Sequence, residues 1–181
     1  AIAAISADLG FSYDLGNGIR VEKGGDIFSK WPALKDLPGP LPIAPRPAIE
    51  ALTTYFRYES NLRRLGRGSH SIGCIVKSAQ LVAPEAQGAL SYDLSALASL
   101  MRDWSSDGSL AEHPLATFLV TENLADLHRL LATNLRAAQV RIPLPSPVEI
   151  TSALEILAPK HPIALGAHRE RLHLLGAEFA G

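Results

Sequence analysis

Thr121, Glu122 and Asn123 directly follow the apolar run Leu115 to Val120, and this is the part of the chain best placed for chemistry. In a parallel α/β sheet, side chains just past the C-terminal end of a strand face the ligand crevice. A hydroxyl and an amide at that point can orient a water near a phosphate. Asn123 is also a good cap for a helix carrying Leu124, Leu127, Leu130 and Leu131, and the two roles can coexist. Glu122 and His128 would be the acid–base pair of an unrelated small α/β enzyme, but a spacing of six sets them poorly on one helix.

The remaining reactive residue types read as structural. His161, His168 and His173 have spacings that place no pair on one helical face, so they are surface histidines and not a metal site. Gly68-Ser-His-Ser-Ile-Gly73 lacks the first glycine of a hydrolase elbow and precedes a strand instead of following one. Arg57, Arg63, Arg64 and Arg67 cluster around a helix C-terminus. Its dipole favours cations there, so the cluster is either a solvated end or a contact for an anionic partner or a neighbouring subunit. Cys74, the single cysteine, lies in an apolar run and reads as packed.

These residues need elements to hold them. With 181 residues, 47% apolar and 19% charged, the chain can build one substantial core and is neither a disordered tail nor a coiled coil. The net charge of −1 gives no general attraction to nucleic acid or acidic membranes. No apolar run is long enough to span a bilayer, no signal-peptide layout opens the chain, and a reducing cytoplasm fits the lone cysteine.

Ala1 to Leu9 predicts the end of a helix stopped by Gly10, and the chain reads as a piece of a longer protein. Phe11 to Leu15 and Ile19 to Glu22 flank Gly16-Asn17-Gly18, a hairpin signature. Residues 24–47, with six prolines from Pro32 to Pro47, predict an extended surface crossing pinned by Phe28 and Trp31, or disorder. A helix is expected from Pro47 to Leu65 with Gly66 as its stop, and another over about 93–104.

Ile72 to Val76 predicts a buried strand, Leu115 to Val120 a central parallel strand and Val140 to Pro143 a further short strand. Ser146-Pro147-Val148-Glu149 is a capping box opening a helix to about Leu157. A last helix is expected over 163–179. Strands alternating with helices imply crossover units and a mostly parallel sheet.

The segment Thr117 to Leu157 resembles the AAA+ ATPase family. Its strand ending Thr-Glu-Asn is similar to that family's sensor strand, and Ile142-Pro143-Leu144-Pro145 before the capped helix matches the run that leads into the family's helical lid. The resemblance implies an α/β three-layer sandwich with a mostly parallel sheet, of the P-loop NTPase or AAA+ type, with a small C-terminal helical element. It divides the chain into a domain over 1–158 and a lid-like element over 159–181.

The departures from the family matter as much. No Gly-x-x-x-x-Gly-Lys-Ser/Thr occurs, so the backbone amides and lysine that hold nucleotide phosphates are missing. Lys77, Ser78 and Gln80 follow the strand where the family has its magnesium-binding acids. The family's arginine finger falls out of register on Arg136, with Arg141 a second possibility at a subunit interface.

The resemblance thus implies a non-catalytic module of a larger ATPase, serving assembly or regulation. It needs no cofactor in this chain alone, with ATP and magnesium belonging to the parent protein. Its partners would be the rest of that protein and neighbouring copies, with no membrane or nucleic acid. A nucleotide-binding sensor without hydrolysis is the alternative.

Overall fold

Two apolar runs on either side of Gly16-Asn17-Gly18 fold back on each other in the computed structural model, which describes residues 6–36, 39–86, 88 and 91–179. They form β1 (Leu9–Asp14) and β2 (Gly18–Lys23), paired antiparallel with Tyr13 opposite Ile19. The turn closes because the Asp14 carboxylate accepts the backbone N–H groups of Gly16 (3.0 Å) and Asn17 (2.8 Å). This is the local bonding that makes Asp a turn residue.

On its other side β1 pairs in parallel with β3 (Ile72–Val76), which pairs in parallel with β4 (Leu115–Leu119). The sheet order is β2-β1-β3-β4. Leu9 to Tyr13 are all buried, and so are Ile72, Gly73, Cys74 and Val76. Both faces of these two strands are therefore covered, as in an α/β sheet with layers on each side.

The longest helix, α2 (Pro45–Arg64), begins on prolines whose missing N–H groups cost nothing in a first turn. It ends at Leu65, where Gly66 takes φ +64. Its inward stripe includes Ile49, Leu52, Tyr55 and Phe56. Against it Phe11 of β1 makes edge-on contacts with Phe28, Tyr55 and Phe56, at centroid distances of 5.2, 5.4 and 6.3 Å. Each such buried aromatic contributes roughly 1.5–3 kcal/mol of burial, plus the edge-to-face attraction.

Phe28 and Trp31 are both buried, so the start of the proline-rich crossing is pinned to the body as expected. It also contains a turn of helix, α1 (Gly25–Phe28), and a 3-10 turn, Pro32–Asp36. After β3 come α3 (Ala79–Val82), α4 (Tyr92–Ser106) and α5 (Gly108–Ala111). α4 is capped by Ser91 and buries Leu97, Ala98, Met101 and Trp104.

Several expectations from sequence are corrected. Leu9 and Gly10 belong to β1, so Gly10 ends no helix at that point; the part of that expected helix over 1–5 lies outside the described residues. β4 is an edge strand and not a central one, which leaves Ala116 and Phe118 exposed. The helix expected after Asn123 is broken in two. Asn123 caps a 3-10 turn, Leu124–Asp126, and His128 caps α6 (Arg129–Ala132). Two capping residues in such a short span stop the backbone from continuing one helix.

Residues 140–143 form no strand and are exposed. Their apolar alternation would suit a ladder, but Pro143 removes one of the donors that a ladder needs. The last helix is also split, into a 3-10 turn, Gly166–Arg171, and α8 (Leu172–Phe179).

The chain forms two compact units, one up to Ala138 and one from Gln139. In the second unit α7 (Pro147–Leu157) starts with the capping box read from sequence. Ser146 Oγ accepts the Glu149 N–H at 3.3 Å, and Glu149 accepts the Ser146 N–H at 2.8 Å. α7 packs on α8 within this unit. Among the described residues no helix is long and apolar enough to cross a membrane.

Candidate functional site

The parallel strands bring three chain segments together at their C-terminal ends. Lys77 N–H, just past β3, donates to the Tyr13 carbonyl of β1 at 2.9 Å. Val120 N–H, just past β4, donates to the Val76 carbonyl at 2.9 Å, and Ala79 N–H donates to the Val120 carbonyl at 2.8 Å. These bonds carry the sheet register one residue further and hold Asp14, Lys77, Ser78 and Thr121 along one edge. In an open α/β sheet this is the edge at which ligands bind.

Each side chain there has a definite local environment. Lys77 and Ser78 are exposed. Ser78 has φ +48 and ψ 49, a left-handed conformation that a residue with a Cβ adopts only at a cost. It turns the chain sharply from β3 into α3, and leaves the Gln80 side-chain oxygen buried with no hydrogen-bond partner. Asp14 is held below the usual carboxylate range, first by the Asn17 side chain and then by the Asn17 and Gly16 backbone amides, with Lys77 adding its charge. Thr121 donates its hydroxyl to the Asn123 carbonyl at 2.9 Å, and the Asn123 side-chain oxygen accepts the Ala125 N–H at 3.1 Å. Asn123 is thus used as a cap, and Glu122 is exposed beside it.

The other residues singled out in the sequence have surroundings of their own. Arg136 is exposed; its guanidinium reaches the Ser105 carbonyl at 3.5 Å. Arg141 belongs to the other compact unit and is exposed. His128 is buried, and its Nδ1 accepts the Leu130 N–H at 3.2 Å. Cys74 is fully buried and its thiol is pushed up to about 12 by burial, which keeps it unreactive.

The sequence reading missed Asp14 as the third member of the strand-end edge. Its signal was present: Asp14 ends the run Phe11 to Tyr13 just before the Asn-Gly turn. What concealed it was the pairing of β1 with β3 across about sixty residues of chain.

The donor set does not suit a magnesium nucleotide. β3 runs into a lysine and a serine, and the Asp14 carboxylate at the edge already accepts three hydrogen bonds at its Oδ1. Among the described residues no three His, Cys, Asp or Glu side chains are grouped to hold a metal ion.

The solved E. coli MS115-1 HORMA:CdnC:Trip13 complex contains a chain of similar fold, with a TM-score of 0.54 at 15% identity. The alignment covers 74% of this chain and 46% of that one, so this chain spans under half of its length. No curated protein matches the sequence. A family model described as the AAA+ chaperone, N-terminal Rossmann-like domain matches residues 4–143, well over half of the chain. The chain therefore belongs to the family of N-terminal Rossmann-like domains of AAA+ chaperones.

Proposed function

We propose that this chain is a non-catalytic N-terminal module of a larger AAA+ protein, serving its assembly or regulation while ATP is hydrolysed elsewhere in the parent. The observation that carries the reading is the end of β3, where exposed Lys77 and Ser78 stand in place of metal-binding acids. A lysine repels magnesium, and it stands where a carboxylate would be needed to hold the ion of a magnesium nucleotide. Thr121 and Asn123 are then remnants of a sensor, and Arg136 and Arg141 are contacts to neighbouring subunits. The fold neighbour sits in a multi-protein complex, which suits a module whose work is assembly; that support is analogy at the level of fold. The partners would be the rest of the parent chain and adjacent copies, in the cytoplasm.

The purified chain should release no phosphate from magnesium ATP above a buffer control. Turnover that disappears in Asn123→Ala would overturn the proposal. The exposed Lys77 cation beside Thr121 favours a second reading, nucleotide binding without hydrolysis. Calorimetric titration with ATP and ADP separates the two, since that reading requires heat at millimolar nucleotide that is lost in Lys77→Glu.

A further inference from the structure

A second concave site lies at the other end of the parallel strands, where β3 begins. Ile27, Lys30 and Trp31 form one wall, the last turns of α2 supply Tyr58, Glu59 and Leu62, and the loop Arg67–His70 completes it. The cleft holds about 340 Å³ and opens broadly to solvent. Glu59 is buried beneath it. The carboxylate accepts the Tyr55 hydroxyl at 3.0 Å and the His70 N–H at 3.0 Å, with the His70 ring Nδ1 at 3.4 Å from the same oxygen. Burial, then the Glu59 charge, raises the Tyr55 pKa, so the phenol stays protonated and donating. These bonds anchor the Arg67–His70 loop to α2.

Charge is distributed unevenly here. Lys30 and Arg67 stand exposed at the rim and form no ion pair among the described residues, and the same is true of Arg63 and Arg64 on the last turn of α2. Glu59 is the one acidic residue in the lining, and its oxygens are already engaged. The result is an apolar, aromatic-walled hollow ringed by unneutralised cations. The helix dipole explains why arginines are tolerated at this end of α2, but not why an aromatic hollow opens beside them.

We propose that this cleft docks an acidic peptide segment, with one apolar side chain entering between Trp31, Tyr58 and Leu62 and flanking carboxylates meeting Lys30 and Arg67. The hollow is open to solvent, so a group bound there stays partly exposed. A peptide needs to bury only its anchor, and it places its charges on the wet rim, where they guide encounter and select the partner. The site is distinct from the strand-end edge and does not depend on the reading of that edge.

The test uses the full chain and a fluorescein-labelled peptide, Asp-Glu-Phe-Glu-Asp, followed by polarisation and, with unlabelled peptide, by the combined fluorescence of Trp31 and Trp104. Saturable binding should weaken with salt and fall about tenfold or more in Lys30→Glu/Arg67→Glu, and also when alanine replaces the peptide phenylalanine. The exposed Arg102→Glu should match the unaltered protein, and circular dichroism should report the same fold for all three. Three results would overturn the proposal: no binding at about 1 mM peptide, equal binding by the double variant, or displacement of the peptide by ATP with ATP itself held in the cleft.

Discussion

The Trp104 indole N–H donates to the Thr53 hydroxyl at 2.8 Å in the buried space between α4 and α2. The same hydroxyl donates to the Ile49 carbonyl one turn earlier at 2.7 Å. One threonine therefore satisfies the only polar group of the largest side chain that α4 buries. Thr53→Val keeps the shape and strands the indole N–H. It should cost about 1–3 kcal/mol, the usual penalty for an unmet buried donor. Urea unfolding measures it, and Trp104→Phe should then cost less in the Thr53→Val background than alone. Equal costs in both backgrounds would mean that the bond contributes nothing.

The strand-end edge offers a separate test of stored strain. Ser78 has φ +48 with ψ 49, and its side chain forms no hydrogen bond as a cap. Ser78→Gly relieves the left-handed penalty of about 1 kcal/mol and loses part of that gain to greater freedom in the unfolded chain. A slightly higher melting temperature is expected, whereas Ser78→Val should lower it clearly. A drop with glycine would show that the serine side chain contributes something beyond its backbone.

Which features were readable in the sequence follows from how local their causes are. The Asn17-Gly18 hairpin, the proline start and glycine stop of α2, and the Ser146–Glu149 box are each set within a few residues, and each forms in the structure. The rank of a strand within a sheet is decided by partners far along the chain. Leu115 to Leu119 is apolar enough for the centre, yet it pairs on one side only. Glu59 shows the same limit: it extends the inward stripe of Leu52 and Phe56 by one turn, where a carboxylate looks out of place. Only the fold brings His70 to within hydrogen-bonding reach of it. For the candidate site, the position of Thr121 to Asn123 after a strand was legible, while the meeting of Asp14 with Lys77 was not.

His113 gives the pH prediction. It is buried, and neither ring nitrogen has a hydrogen-bond partner. Burial is the main reason its pKa lies below the ordinary imidazole value; the Glu59 charge and a weak contact with the His70 backbone oppose this, and the Arg63 charge adds to it. The unfolded chain therefore binds the proton more readily than the native one. The stability that His113 contributes is fully present above the ordinary value of about 6.5 and is lost as pH falls through the lower native pKa. Urea midpoints should fall between neutral and mildly acid pH. In His113→Phe that fall should shrink, with little loss at neutral pH, because the variant removes two buried polar atoms that lack a well-formed hydrogen bond and keeps similar bulk. An unchanged slope in the variant would assign the pH dependence to other groups.

In the unit beginning at Gln139, Gly176 of α8 sits against α7. A Cβ built at Gly176 would collide with the Thr151 hydroxyl and lie 2.9 Å from the Pro147 carbonyl. That hydroxyl already donates to the same carbonyl at 2.8 Å, so it cannot swing away without breaking its bond. None of the α7 residues is fully buried, so partly exposed side chains hold the rest of its contact with α8. The close approach at Gly176 therefore fixes the spacing of the pair. Gly176→Ala should force the helices apart and cost about 1–3 kcal/mol, as overpacking of a tight contact does. Hydrogen exchange along Pro147 to Leu157 should accelerate, while exchange in β1 and β3 of the other unit stays unchanged. Thr151→Ala in the same chain removes the hydroxyl but not the carbonyl contact, so it should restore part of the protection. Full protection of α7 in Gly176→Ala alone would show that the two helices are not packed through this glycine.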